Sequence, residues 1–490
     1  MFLRMFDDEP GGATAIPNID VGSKSGFTGF GDLIGEHGHE IMAGMIAEMR
    51  EKDIKIARIN IPDLGPNHEG IYLVADRALA EQMIREFPRS SVHESLIPVI
   101  GNSLFAMEDT PEYRQMRKLL APLLGLGSVG EYIDGMVRVT DECFDEFLKP
   151  GMEGVREINI EPLCEQIAAK NVMVNLTPLV NVSEQELEEM IKFIAKGEGF
   201  VGLNSLMPNL PELLVKLTPR VVKDFLNRQL QNYLYPGGEA GFNIDRNRIR
   251  ALLLENINLI LSGEELSPFV KNLWVGLNGE QLTGESQAEI KTKMVDAFLG
   301  LFSAGEATTT GALQSITMAL MSNDELQDQL LGEIDAALLD TDKITHEDLR
   351  KMPILGKFID WVVKQVPPTH FLPREFPEGG FEIDGVMYKP GNQVWIAIFG
   401  DQHEDKAFDP KGEYDKNLSW GAGGRRCTGE MFAKAEMSIF IIRLLQYLRK
   451  KNAKLVPYKK DPELSNTLSG FKATAPVNKK YAYHAVAMEG

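Results

Sequence analysis

The residues best equipped for chemistry lie near the carboxyl end, in Trp420-Gly421-Ala422-Gly423-Gly424-Arg425-Arg426-Cys427-Thr428-Gly429. The clustered glycines let backbone approach a planar or bulky partner closely and turn N–H groups inward. A helical stretch, EMFAKAEMSIFIIRLLQYLRK, follows at once and sets Cys427 just before its positive end. Two adjacent arginines and that helix end both favour a thiolate. Cys427 therefore reads as a reactive nucleophile or a metal thiolate, in preference to a small buried apolar residue. A nucleophile would need an imidazole base, and none of the eight histidines lies near the loop in sequence. A second loaded stretch is Ala304-Gly305-Glu306-Ala307-Thr308-Thr309, where a carboxylate and hydroxyls sit among small residues in a helical pattern.

The elements that position these groups belong to a chain of 490 residues, long enough to bury an internal chamber. With 51 basic and 71 acidic residues the net charge is −20, which argues against a nucleic-acid partner. The three cysteines, Cys143, Cys164 and Cys427, make no disulfide framework and no metal knuckle, a pattern that suits a reducing compartment. The opening MFLRMFDDEPGG is too short and acidic for a signal or anchor, and the apolar run ALLLENINLIL is broken by Glu255. The expectation is a soluble, cytoplasmic protein with no membrane contact.

Helical patterning dominates. Helices are expected over about 33–50, 77–86 with Asp76 as cap, 130–148, 157–178, 183–197 with Ser183 as cap, 287–321 and 323–338. Pro111 starts another, which Pro122 should kink or end. Thr345 and Asp348 form a capping-box pattern. The Gly/Pro-rich stretch 202–211 reads as a loop, helical patterning resumes near 219, and 240–284 reads as an inserted hairpin or lid. Strands are expected near 55–75 and 372–400. The fold class is mainly α with a small β portion, one domain over 1–490; two domains joined near 284 is the alternative.

The segment 420–429 resembles the haem-binding loop of cytochrome P450 enzymes: aromatic, Gly, any, Gly, any, Arg, any, Cys, any, Gly. Trp420 stands where phenylalanine is usual, Gly421 and Gly429 fall on motif glycines, and Ala433 and Glu436 continue the pattern. The resemblance implies haem b (iron protoporphyrin IX) with Cys427 as the iron thiolate. It implies Arg425 at a haem propionate and Trp420 over the sulfur side of the ring, with loop N–H groups donating to the sulfur. Tyr113 and Arg117 take the places of a tryptophan and an arginine four apart on one helix, both usually near a propionate. Arg374, after Pro367-Pro368, matches an arginine that meets the other. By length and the lack of an anchor, the soluble bacterial members are nearest in kind, although this chain is longer than most of them.

Two departures stand out. In the distal helix of the family, small residues open a groove for oxygen and an acid before a threonine steers protons. Ala304 and Gly305 supply the groove and Thr308 the threonine, but Ala307 holds the acid's place and Glu306 lies one residue early. The Glu-x-x-Arg pair of the family falls on Trp361 and Lys364, so Trp361 is expected to be structural, packed beneath the cysteine loop or against the β portion. Lys364 is expected to reach a carboxylate or solvent. The function implied is O2- and electron-dependent oxidation of a hydrophobic or aromatic small molecule, with a separate ferredoxin- or flavodoxin-type electron donor. Arg426, Lys434 and Lys118 could form its dock. Oxidative aryl or phenol coupling, or peroxide rearrangement, is the alternative that Ala307 keeps open. Met107, Leu301, Phe302, Ala304 and Phe371, with segments 88–106, 196–215, 298–309 and 369–373, are candidate chamber lining.

Overall fold

The computed structural model describes residues 18–20, 38–60, 71–148, 156–158, 160–177, 182–206, 235–263, 268–278, 285–321, 323–338, 343–369, 371–398, 408–412, 418–456, 466–467, 475–476 and 483–487. The longer helices are α1 (Gly38–Glu51), α2 (Arg77–Glu86), α3 (Pro111–Leu124), α4 (Ile133–Phe147), α5 (Ile160–Asn171), α6 (Glu184–Leu206), α7 (Gly238–Ser262), α8 (Pro268–Gly276), α9 (Glu285–Met321), α10 (Asp324–Leu338), α11 (Pro353–Gln365) and α12 (Glu430–Lys450). Their starts follow local chemistry. Asp76 accepts the Leu79 N–H at 2.7 Å, Thr110 caps α3 just before Pro111, and Ser183 accepts from Glu186 N at 3.3 Å. Thr345 and Asp348 form a reciprocal capping box. Pro122 stays inside α3, which ends two residues later at Leu124.

The long helix α9 runs through the main core and packs on α5, α7, α11 and α12. Helix α5 runs into a π-turn at Val172–Leu176. That turn lies against α9, where a Cβ on Gly305 would come within 2.8 Å of Val172 Cγ2. Glycine at 305 thus permits a close helix crossing.

Among the described residues, twelve short strands are numbered in chain order. A five-stranded sheet has the order β1 (Asn18–Asp20), β2 (Ile56–Asn60), β3 (Ile71–Val74), β8 (Gln393–Ala397), β5 (Phe371–Glu375). Strands β3 and β8 pair in parallel, Leu73 opposite Trp395, while β8 and β5 are antiparallel, Val394 opposite Arg374. An isolated bridge joins Arg89 to Arg374, and Glu375 N donates to Pro88 O at 3.1 Å. Through these bonds the sheet brings the segment after α2 to the start of the site. Strands β4 (Arg156–Ile158), β12 (Tyr483–Ala487) and β9 (Ala453–Val456) form a second sheet; β6 (Phe381–Ile383) pairs with β7 (Val386–Tyr388), and β10 (Asn466–Thr467) with β11 (Ala475–Pro476).

Two expectations fail here. The described part of 240–284 is helical, α7 and α8, with no hairpin. Phe242, Ile249, Leu253, Ile257 and Ile260 are the buried apolar residues of α7, and their spacing is a helical stripe. Helix α6 continues through Gly202 to Leu206, beyond the loop expected from 202; residues 207–234, including the helix expected near 219, lie outside the described residues.

Candidate functional site

The cysteine loop is held by α3. Tyr113 is buried, and its hydroxyl donates to Gly424 O at 3.0 Å. One turn on, Arg117 Nη2 donates to Arg426 O at 2.6 Å and Nη1 to the Tyr113 hydroxyl at 3.4 Å. Within the loop, Cys427 N donates to Trp420 O at 2.7 Å. Gly421 and Gly423 take φ of 69° and 63°, backbone that disfavours any side chain. At Gly423 a Cβ would also meet Arg85 Cα at 3.1 Å. Below the loop, Ser419 Oγ donates to Val363 O in α11 at 2.9 Å.

The Cys427 side chain is accessible to solvent, yet protein surrounds it closely enough that desolvation raises its pKa; a thiol facing a recess has both properties. The Gly429 N–H bonds to it and pulls the pKa down, as do Arg117 and Arg426, while Glu430 pushes it up. Of the two adjacent arginines only Arg426 acts as expected, joined by Arg117, and burial outweighs them. The inward N–H donor is present, from Gly429.

Arg425 lies with its guanidinium carbon 3.3 Å from the centre of the Tyr113 ring. Its Nε bonds Asp109 at 2.6 Å and its Nη2 bonds Met107 O at 3.0 Å, leaving Nη1 buried without a partner among the described residues. Arg374 is 4% exposed; among the described residues Nη1 reaches only its neighbour Pro373 O, and Nε has no partner. Arg89, which sequence reasoning missed, joins them, bonding Leu104 O at 3.4 Å and lying over the Phe105 ring. Burial first, and then the charges of Arg425 and Arg374, pull Arg89 down to about 9. Arg374 falls to about 10 for the same reasons, burial leading and Arg425 following. His93 feels all three.

Asp109 is bonded to only one of these three cations. Buried cations with spare donors are costly unless further negative charge meets them. The donor set fits a group with two carboxylates beside a thiol-bearing loop, as haem is. Arg117, expected at a propionate with Tyr113, bonds the Arg426 carbonyl of the loop and the Tyr113 hydroxyl. Arg89 lies beside Arg374 and Arg425 in the cluster. No sequence spacing marks Arg89, because it reaches Arg374 only through the strand bridge.

On α9, Thr308 Oγ1 donates to Ala304 O at 2.6 Å, which places these two on one face. Gly305, expected to open the groove, also permits the close crossing with Val172. Glu306 is 7% exposed, not solvated, and accepts from Thr310 at 3.4 Å. It lies two positions before Thr308, a rotation of about 200°. Phe371 is half-buried and stacks on Trp395 at 4.5 Å, and Phe302 is buried in the main core. Met107 and Leu301 are half-buried. Residues 207–215 lie outside the described residues.

Trp361 is buried, stacked at 6.2 Å on Phe358 and 5.7 Å from Phe408. Lys364 is 5% exposed and makes no ion pair among the described residues, contrary to both expected outcomes. Asp360 instead ties α11 to α12 through Lys434 at 2.8 Å. Lys434 also pairs with Glu430, as does Arg426, so two of the three cations expected at a partner dock are already neutralised. Trp420 packs against the main core with Lys434 5.7 Å from its ring centre, and its Nε1 is buried without a partner.

A family model described as Cytochrome P450 matches residues 278–472, which span α9 to the cysteine loop and beyond. Cytochrome P450 6B1 of Papilio polyxenes is 25% identical over 391 residues, 74% of each chain. Probable cytochrome P450 6a13 of Drosophila melanogaster is 24% identical, over 71% of this chain and 70% of its own. Putative cytochrome P450 120 of Synechocystis is 26% identical over 41% of this chain and 48% of its own. The chain belongs to the cytochrome P450 superfamily. It is a monooxygenase-type enzyme whose cofactor is haem, acting on a small molecule with a redox partner. These relatives include animal proteins and a cyanobacterial one, so the likeness is to the superfamily at large.

Proposed function

We propose that the chain is a haem-thiolate oxidase in which Cys427 holds the iron and Arg89, Arg374 and Arg425 hold the haem carboxylates, acting on a hydrophobic or aromatic small molecule. The observation that carries this is the buried arginine cluster with unspent donors beside the pinned cysteine loop. When bound, haem supplies the redox chemistry that activates oxygen. The chain's own groups do the rest. Tyr113 and Arg117 fix the loop, and the Gly429 N–H bonds the Cys427 sulfur, tempering its electron donation. Ala304 leaves room on the distal helix, and Thr308 Oγ1, now bonded to Ala304 O, can rotate to donate or accept a proton. The apolar walls keep bulk water out.

Electrons would come from a separate ferredoxin- or flavodoxin-type protein, and a cytoplasmic location accords with cysteine usage. Among the described residues no helix is long and apolar enough to cross a membrane. Ala307 supports a second reading, coupling of phenol-like substrates, because an acidic substrate can bring its own proton. The test is spectroscopic. Purified protein should show the carbon-monoxide difference band of thiolate-ligated haem, and Cys427→Ala should lose it. A band that survives the substitution refutes the ligation.

A further inference from the structure

The segment between α2 and α3 carries a histidine that none of the roles above uses. His93 lies in the 3-10 turn Ser91–Leu96, and its backbone N–H and ring Nδ1 both meet one acceptor, Ser90 O, at 3.2 and 2.9 Å. A carbonyl can only accept, so Nδ1 carries the hydrogen and Nε2 keeps its lone pair. The ring is braced edge-on by Phe105 at 5.6 Å between centroids, and the Arg89 guanidinium lies over that same phenyl ring. Burial first, then Arg89, hold the imidazole neutral against the opposing pull of Ser90 O, and Arg374 and Arg425 add smaller pushes the same way as Arg89. These charges come from its own segment, β5 and the cysteine loop, while the turn itself packs on α6 and the helical turn Ile97–Ile100. Nε2 has no protein partner among the described residues.

A bare ring nitrogen at this place has a defined preference. It cannot bind a carboxylate, because both would be acceptors, so the arginines rather than His93 suit the haem carboxylates. Nε2 requires a donor from outside the chain. The neighbouring surfaces are phenyl and imidazole edges, which suit an aromatic or aliphatic body attached to that donor.

We propose that His93 Nε2 accepts a hydrogen bond from a hydroxyl of a neutral small-molecule substrate, and so makes His93 a specificity residue that selects phenols over their ethers. This rests on the haem-thiolate reading of the neighbouring site and names the substrate class for it. The bond adds orientation as well as affinity, since Ser90 and Phe105 fix the ring that accepts it.

The experiment uses haem-loaded wild type, His93→Phe and His93→Gln, with 4-butylphenol and 4-butylanisole as probes, titrated by calorimetry and by the ferric Soret shift. Wild type should bind the phenol about five- to tenfold tighter than the ether, the size of one net hydrogen bond. H93F should bind both about equally with ether affinity unchanged, and H93Q, whose amide oxygen accepts, should regain part of the preference. No phenol preference in wild type, or a preference undiminished in H93F, overturns the assignment. H93Q keeps the test decisive if the ring swap disturbs folding: it must favour the phenol, and equal affinities there also count against His93. Absence of the carbon-monoxide band in wild type overturns instead the haem-thiolate reading beneath it, whereas an intact band with an unmoved preference refutes His93 alone.

Discussion

At the scale of single residues, the site is a problem in unsatisfied donors. Arg89, Arg374 and Arg425 are held together by fold contacts that leave Arg374 Nε and Arg425 Nη1 without partners. Arg426 differs, because its guanidinium is bonded twice to Glu430, at 2.8 and 2.9 Å. Single alanine changes at 89, 374 or 425 should therefore speed haem loss to apomyoglobin by about tenfold or more, with charge-assisted bonds worth ~1.5–3 kcal/mol each. R426A should be near wild type, and equal rates in all four would refute the cluster's role. Arg117→Ala should act differently, loosening the loop at Arg426 O. The distal hydroxyl gives a second residue-scale expectation. Glu306 points to Thr310 and lies on a different face from Thr308, so E306A should keep at least a third of wild-type turnover. T308A should lose more, and should uncouple electron use from product. Near-complete loss in E306A, with haem content and substrate binding intact, would make Glu306 the proton carrier.

At the scale of elements, what could be read in advance was what is local. Asp76, Ser183 and Thr345 each mark a helix start through bonds spanning three residues, and Pro111 marks one through its fixed φ at the first helical position. The cysteine loop was legible for a similar reason: glycines, arginine and cysteine sit in one run. Helix α7 was not, because polar residues interrupt its buried stripe, and Asn256 is itself buried. Arg89 and His93 were invisible because β5 and α3 bring them to the site from far along the chain. Helix α11 shows how an element survives the loss of a usual pair. Trp361 fills space among Phe358 and Phe408, and the link to α12 passes to Asp360 and Lys434. Trp361→Glu should bury an unpaired carboxylate where an indole packed and destabilise the protein by roughly 3 kcal/mol. Trp361→Phe should cost less than half of that. Equal thermal melts for W361E and wild type would show that Trp361 does not hold this corner.

At the scale of the whole molecule, α5 couples the two sides of the site through adjacent residues. Asn171 Nδ2 donates to Glu436 Oε1 of the cysteine-loop helix α12 at 2.9 Å. Val172, next in sequence, is the residue against Gly305 of the distal helix. Glu436 is 1% exposed, and burial pushes its carboxyl up to about 8, from an ordinary 4.5, against the pull of the Asn171 bond. An acid that holds its proton more tightly when folded favours the folded state at low pH. That contribution is complete below about 4.5 and is lost steadily until about pH 8, where the folded protein also ionises. Across this window Glu436 alone withdraws on the order of a few kcal/mol. Glu436→Gln keeps an oxygen for Asn171 and cannot ionise, so the withdrawal should vanish. The melting temperature of E436Q should match wild type near pH 5 and exceed it by a growing margin at pH 6.5 and pH 8. Because α5 joins α12 to α9, the same variant should also hold its haem longer at pH 8 than wild type does. A gap in melting temperature that stays constant across the three pH values would mean that Glu436 does not titrate in this window, and that the junction of the two helices is indifferent to its charge.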